Sequence, residues 1–203
     1  MYTFRYKSHH DASGELKKKY TSAESVLSYV ERMLNESAAS RRVIYLHVPF
    51  CNKICSFCPF HRPDELRRRD YHRYLIEEMH RICEYPYMRA PIDAVNFGGG
   101  TPTALLPEQM DAVLTELRTC FDIAPEAEIS VESSATELTA EMLEVLKKGG
   151  VNRLSIGIQT FDDEGRTLLG RRGSGEHAAH SVRRAIESGI ANTSIDLIYH
   201  YPG

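Results

Sequence analysis

From residue 43 onward, short β-rich runs alternate with stretches of helical periodicity, and this limits the possible folds more than any other feature of the chain. The strand-like runs are Val43–Val48, Ile92–Phe97, Glu128–Glu132, Arg153–Ile158 and Thr193–Ile198. Between them lie helical patterns over Tyr71–Cys83, Pro107–Cys120, Thr139–Lys148 and Glu176–Ser188. Pro107 suits a first helical turn, Thr139 suits an N-cap, and Gly149 and Gly189 suit helix stops. Strand, helix, strand at this spacing predicts parallel strands joined by crossover helices.

The strands themselves narrow the choice. Parallel strands covered by helices on both faces read as continuous apolar runs. These alternate instead. Ile44, Leu46 and Val48 oppose Tyr45 and His47, and Ile129 and Val131 oppose Glu128, Ser130 and Glu132. Leu154, Ile156 and Ile158 oppose Ser155, Gly157 and Gln159, and Ile195 and Leu197 oppose Ser194 and Asp196. One face suits packed helices and the other suits a wet or ligand-filled interior. An α/β fold of the full or partial (β/α) barrel type is therefore expected, rather than a doubly wound sheet. In barrels the site lies at the C-terminal ends of the strands, which points to Pro49, Gly98, Glu132, Gln159 and Asp196.

Composition excludes several classes. The chain has 203 residues, 42% hydrophobic and 26% charged, with a formal net charge of -3. Disorder and a broad nucleic-acid surface do not fit such numbers. No apolar run approaches the roughly 20 residues of a membrane span, and Met1–Lys19 has no signal-like apolar stretch. A cytoplasmic location is expected. Residues 1–40 read as an N-terminal extension, with a basic run at Lys17–Lys19 and an amphipathic helix over Ser25–Leu34; residues 41–203 read as the core. Six or eight strands are expected of such a barrel and only about five appear, so the core reads as incomplete at its C-terminus.

Three of the five cysteines crowd into Cys51-Asn-Lys-Ile-Cys55-Ser-Phe-Cys58. Without a secretory context, such a cluster points to metal or catalysis before disulfides. Three thiolates suit a 4Fe-4S cluster with one iron left open. That open iron can chelate the amino and carboxylate groups of S-adenosylmethionine. An electron from the cluster then breaks a sulfonium carbon–sulfur bond to give methionine and a 5'-deoxyadenosyl radical. The competing reading is structural zinc, which prefers four ligands and would need His47 or His61 to complete it. Cys83 and Cys120 fall on helix patterns and read as core or surface thiols.

Other residues join this constellation. Gly98-Gly99-Gly100-Thr101-Pro102 follows a strand, where bare backbone can approach a ligand. Glu132 can accept hydrogen bonds from a ribose or an ammonium, or serve in a rim ion pair. Gln159 and Asp196 share its position at strand ends. Arg171 suits a ligand carboxylate or a solvated loop. Tyr45 and His47 face the expected interior, where a satisfied core role is the commoner fate of a histidine.

Together these residues resemble the radical-SAM group that contains oxygen-independent coproporphyrinogen III oxidase. The resemblance runs from about Tyr45 to Pro202. It is carried by Tyr45-Leu46-His47-Val48-Pro49-Phe50-Cys51, the three cysteines, Phe97–Pro102, Glu132, Ser155-Ile156-Gly157-Ile158-Gln159-Thr160-Phe161 and Asp196-Leu197-Ile198-Tyr199. It implies a partial (β/α)6 barrel, here with about five βα units. It further implies that Cys51, Cys55 and Cys58 hold a 4Fe-4S cluster, and that Tyr45, Phe57, Gly99, Gly100, Thr101, Glu132, Gln159, Arg171 and Asp196 line an S-adenosylmethionine site. The oxidase carries a further cysteine two residues after the third; Phe60 stands there in this chain, and an aromatic at that position looks more like the heme chaperone-like, anaerobic heme-degrading and class C methyltransferase relatives. His200-Tyr201-Pro202 replaces a common glycine, leucine and proline. The leading expectation is a radical acting on a tetrapyrrole, in anaerobic heme opening or methyl transfer, fed by a low-potential donor such as a flavodoxin. A heme chaperone and the oxidase itself are the alternatives.

Overall fold

The computed structural model describes residues 23–37, 41–59 and 69–200. Lys17–Lys19, Phe60, His61 and Tyr201-Pro202 lie outside the described residues. Helix α1 (Ala23–Asn35) precedes strand β1 (Val43–Val48), and α2 (Tyr71–Ile82) leads to β2 (Ile92–Gly99). There follow α3 (Pro107–Cys120), β3 (Ile123–Ser134), α4 (Ala140–Lys148) and β4 (Arg153–Gln159). A short α5 (Asp163–Leu168), α6 (Gly175–Glu187) and β5 (Asn192–Leu197) complete it.

All five strands are parallel, in the order β1-β2-β3-β4-β5. Right-handed crossovers that always step in one direction place every connecting helix on the same face of the sheet. A doubly wound sheet reverses direction partway and covers both faces. The order thus bears out the barrel-type reading, and the burial follows it. Leu46, Val48, Phe97, Val131, Leu154, Ile156 and Ile158 pack into one core with Met110, Val113, Leu114 and Leu117 of α3 and Leu143 and Leu146 of α4. Full burial of each such side chain contributes ~1.5–3 kcal/mol. On the other face Tyr45 and Glu132 keep part of their surface open to solvent.

Local signals set the helix ends. The Thr139 side chain accepts from the Met142 N–H, as an N-cap should, and Ser174 does the same for α6 through His177. Pro107 occupies the first turn of α3. Strands β2 and β3 run longer than their apolar cores predict. Neighbour pairing carries β2 through Gly98 and Gly99, whose partners are His47 and Val48. It likewise extends β3 to Ile123 at one end and Ser134 at the other, against Ile92 and Gly157. At β5, Leu197 is exposed instead of covered.

Candidate functional site

The loop after β1 carries the three cysteines across the C-terminal ends of the strands, and its neighbours fix its path. On one side it pairs with the glycine-rich turn. The Gly100 N–H donates to Val48 O at 2.8 Å and the Thr101 N–H to Phe50 O at 2.7 Å. The approach is close enough that a Cβ on Gly100 would lie 2.5 Å from Phe50 O. Gly99 sits at φ +114°, and a Cβ there would meet the His47 ring at 2.7 Å. Both positions therefore require glycine, Gly100 for space and Gly99 for its positive φ.

On the other side the loop meets the segment after α5. The Ser56 N–H donates to Leu169 O at 3.1 Å and the Ser56 hydroxyl to Leu168 O at 2.9 Å. Arg171 Nη1 donates to Cys55 Sγ at 3.0 Å, and its Nη2 donates to Gly157 O. A third tie comes from the β3–α4 connection. The Asn52 amide donates to Glu137 Oε1 at 2.9 Å, while the Ser134 and Thr136 hydroxyls donate to Glu137 Oε2.

These elements enclose a cavity of about 400 Å³. Cys51, Cys55, Cys58, Phe57, Gly99, Gly100, Thr101, Glu132, Gln159, Arg171 and Asp196 all line it. Tyr45 stands beside the lining: its ring and hydroxyl lie 3.0 Å from where a Gly98 Cβ would project, and its Oη is 3.2 Å from His47 Nδ1. Of the residues the sequence singled out for the strand ends and the interior, Tyr45, His47, Pro49 and Gly98 do not line the cavity.

The electrostatics of the cavity are uneven. Burial raises the Glu132 carboxyl above the usual carboxylate range, and Asp196 pushes it the same way; the Gly99 N–H and His47 oppose this in part. Burial, then Glu132, raises the Tyr45 phenol. Asp196 accepts from the Ser155 hydroxyl at 3.4 Å. Gln159 holds a left-handed backbone at φ 67°, uncommon for a residue with a Cβ. Its Oε1 and the Nε of Arg171 are buried without a partner among the described residues, the orphaned atoms expected where a polar ligand belongs.

The thiols fit an iron–sulfur cluster in two respects. Cys51 and Cys55 receive hydrogen bonds, from the Thr101 hydroxyl at 3.4 Å and from Arg171, which offset thiolate charge. Among the described residues, the ligand atoms that close within 4.8 Å of one another belong to a different group, not to these three cysteines. A spread wider than one ion's ligand set suits a cluster that offers each thiolate its own iron.

Two contributors escaped the sequence reading. Arg166 is fully buried and donates to the carbonyls of Ile158, Thr160, Arg172 and Gly173, which shapes the loop that presents Arg171. Glu137 braces the cysteine loop through Asn52. Neither has a sequence signal, since a charged residue on a loop or short helix ordinarily reads as solvated.

Comparison with known proteins agrees with this geometry. The Radical SAM superfamily model matches residues 45–203. An oxygen-independent coproporphyrinogen III oxidase of Bradyrhizobium diazoefficiens is 38% identical over 84% of this chain and 39% of its own length. An anaerobilin synthase of Escherichia coli O157:H7 is 35% identical over 85% of this chain and 40% of its own, and a heme chaperone of Bacillus subtilis is 36% identical over 78% and 42%. Among solved structures, coproporphyrinogen III oxidase from Escherichia coli superimposes with a TM-score of 0.73 at 31% identity, covering 83% of this chain and 40% of that one. The chain thus spans about two fifths of the length of these relatives. No helix among the described residues is long and apolar enough to cross a membrane. With a matching family model over most of its length and a like-folded relative, the chain belongs to the Radical SAM superfamily, whose cofactors are a 4Fe-4S cluster and S-adenosylmethionine.

Proposed function

We propose that this chain is the cofactor-binding part of an enzyme that directs radical chemistry at a tetrapyrrole, with anaerobic heme opening and methyl transfer as the leading reaction. The observation that carries the reading is the convergence of Cys51, Cys55 and Cys58 with Glu132, Gln159, Arg171 and Asp196 on one cavity at the strand ends. The tetrapyrrole class is supported by relatives named for coproporphyrinogen, anaerobilin and heme.

A 4Fe-4S cluster held by Cys51, Cys55 and Cys58 would, when bound and reduced, supply the electron for reductive cleavage of S-adenosylmethionine. The chain's own groups hold and orient. Cys51, Cys55 and Cys58 anchor the irons, and Arg171 and Thr101 donate to two of the sulfurs. The bare Gly99–Gly100 backbone admits a ligand to the strand edge. Glu132 and Asp196 present acceptors for amino or hydroxyl groups, and the buried Gln159 Oε1 adds a third. A flavodoxin-class protein would be the electron donor, and a cytoplasmic setting suits an oxygen-sensitive cluster.

A second reading is supported by the relative named a heme chaperone: the same cofactor domain serving heme delivery. The test uses the full-length protein, reconstituted anaerobically with iron and sulfide and reduced with dithionite in the presence of S-adenosylmethionine and heme. About four irons per chain, 5'-deoxyadenosine and loss of the heme chromophore are expected. Tight heme binding without heme turnover would favour the chaperone. Zinc in place of iron would refute the radical reading.

A further inference from the structure

Away from the cavity, four ligand-type side chains meet where two neighbouring crossover helices end. Helices α2 and α3 pack against each other and run from the site's end of the sheet toward the opposite end. His80 lies in the last turn of α2, and Cys83 is its C-cap. Glu116 lies in the last turn or so of α3, and Cys120 is its final residue. Spacings of three and four residues put each pair on one helix face.

The two pairs face each other. Ligand atoms of His80, Glu116 and Cys120 all lie within 4.8 Å of one another. His80 Nε2 is 2.9 Å from Glu116 Oε2; the Cys83 thiol donates to His80 O at 3.5 Å, and burial together with the neighbouring Cys83 raises the Cys120 thiol. Both thiols are free and half-buried. An ion pair would account for His80 with Glu116, and chance packing for Cys83 with Cys120. Neither explains why both pairs converge.

We propose that His80, Cys83, Glu116 and Cys120 form a second metal site, a four-coordinate structural site for a thiophilic divalent cation of the zinc class. Two thiolates, an imidazole and a carboxylate are a zinc donor set. A tetrahedral shell with bonds of 2.0–2.3 Å places its ligands about 3.3–3.8 Å apart, so His80, Glu116 and Cys120 have only about 1 Å to close, and the Cys83 thiol must turn from His80 O to join them. Side chains at partly exposed helix ends make that adjustment by rotation. The negative ends of two helix dipoles meet here, and the Glu84 and Glu116 carboxylates act on the same spot, so a cation is the favoured guest. With all four positions taken by protein, the ion would tie α2 to α3 on the side of the sheet away from the radical chemistry, leaving no coordination position open for catalysis.

The test is zinc retention by the anaerobically reconstituted, full-length protein, whose Cys51, Cys55 and Cys58 are already occupied by the cluster. Zinc and iron are counted by mass spectrometry after desalting, and affinity is measured by competition with a chromophoric chelator. About one zinc per chain is expected in the wild type. C83S/C120S is expected to keep its iron and lose the zinc. H80Q, which leaves both thiols in place, should bind zinc at least about tenfold more weakly with an unchanged circular dichroism spectrum. The proposal is overturned by a wild type that retains no zinc, by equal zinc in C83S/C120S, or by a Cys83–Cys120 disulfide seen as two lost thiols without metal.

Discussion

Arg171 and Cys55, 116 residues apart in sequence, meet as a guanidinium-to-sulfur hydrogen bond of 3.0 Å. The contact joins the last loop of the site to the loop that carries the thiols. Arg171 Nη2 is anchored on Gly157 O, so the charge is aimed by the strand and not merely tethered to the sulfur. A fixed positive donor on a thiolate lowers its electron density and stabilises a reduced cluster. R171Q is therefore expected to make the cluster potential more negative and to speed loss of iron in air. R171K, which keeps the charge without the fork, should fall between. A redox titration followed by electron paramagnetic resonance reads this, and an unchanged potential in R171Q would show that the contact has no electronic role.

Gly100 tests the other side of the same loop. A Cβ there meets Phe50 backbone atoms, not a side chain that can swing away. G100A should cost about 2–3 kcal/mol and lower Tm by about 5–10 °C. It should also lower iron incorporation, because the pairing of Gly100 and Thr101 with Val48 and Phe50 sets the start of the cysteine loop. Thermal melts and iron counts give the answer, and full iron loading in a variant of normal Tm would refute it.

Glu132 carries a pH signature. Its carboxyl is raised in the folded protein, chiefly by burial. The folded state thus holds this proton more tightly than the unfolded state, and stability falls as pH rises from the ordinary carboxylate value through the raised one. E132Q removes that penalty. In the cofactor-free protein it should raise Tm slightly at pH about 7, by no more than about 2 °C, and leave it unchanged near pH about 4. The same variant should bind S-adenosylmethionine more weakly. Unaltered affinity would take Glu132 out of the site, whatever the melts show.

Arg166 makes its contribution through structure. Its buried guanidinium satisfies the carbonyls of Ile158, Thr160, Arg172 and Gly173. R166M keeps the packing of the stem and abandons those acceptors, for an expected cost of about 2–4 kcal/mol. R166K should recover part of it. Denaturant unfolding of the three proteins checks the order.

Much of this protein follows from local chemistry that a linear reading can see. Alternation of Ile129 and Val131 with Glu128, Ser130 and Glu132 is a period-two signal, and it distinguishes a barrel-type sheet from a doubly wound one. Thr139 and Pro107 act on their own helix ends, so they too were legible. The thiol spacing of Cys51, Cys55 and Cys58 is likewise short-range. Tertiary structure decided what depends on partners far away in sequence. It extended β2 through Gly99 and β3 to Ser134, because ladder pairing is supplied by a neighbouring strand and not by intrinsic propensity. It turned Arg166 from an apparent surface charge into a buried clamp, and set Glu137 against Asn52. It also brought His80 beside Glu116 and Cys120, since only the packing of α2 on α3 makes neighbours of residues more than thirty positions apart.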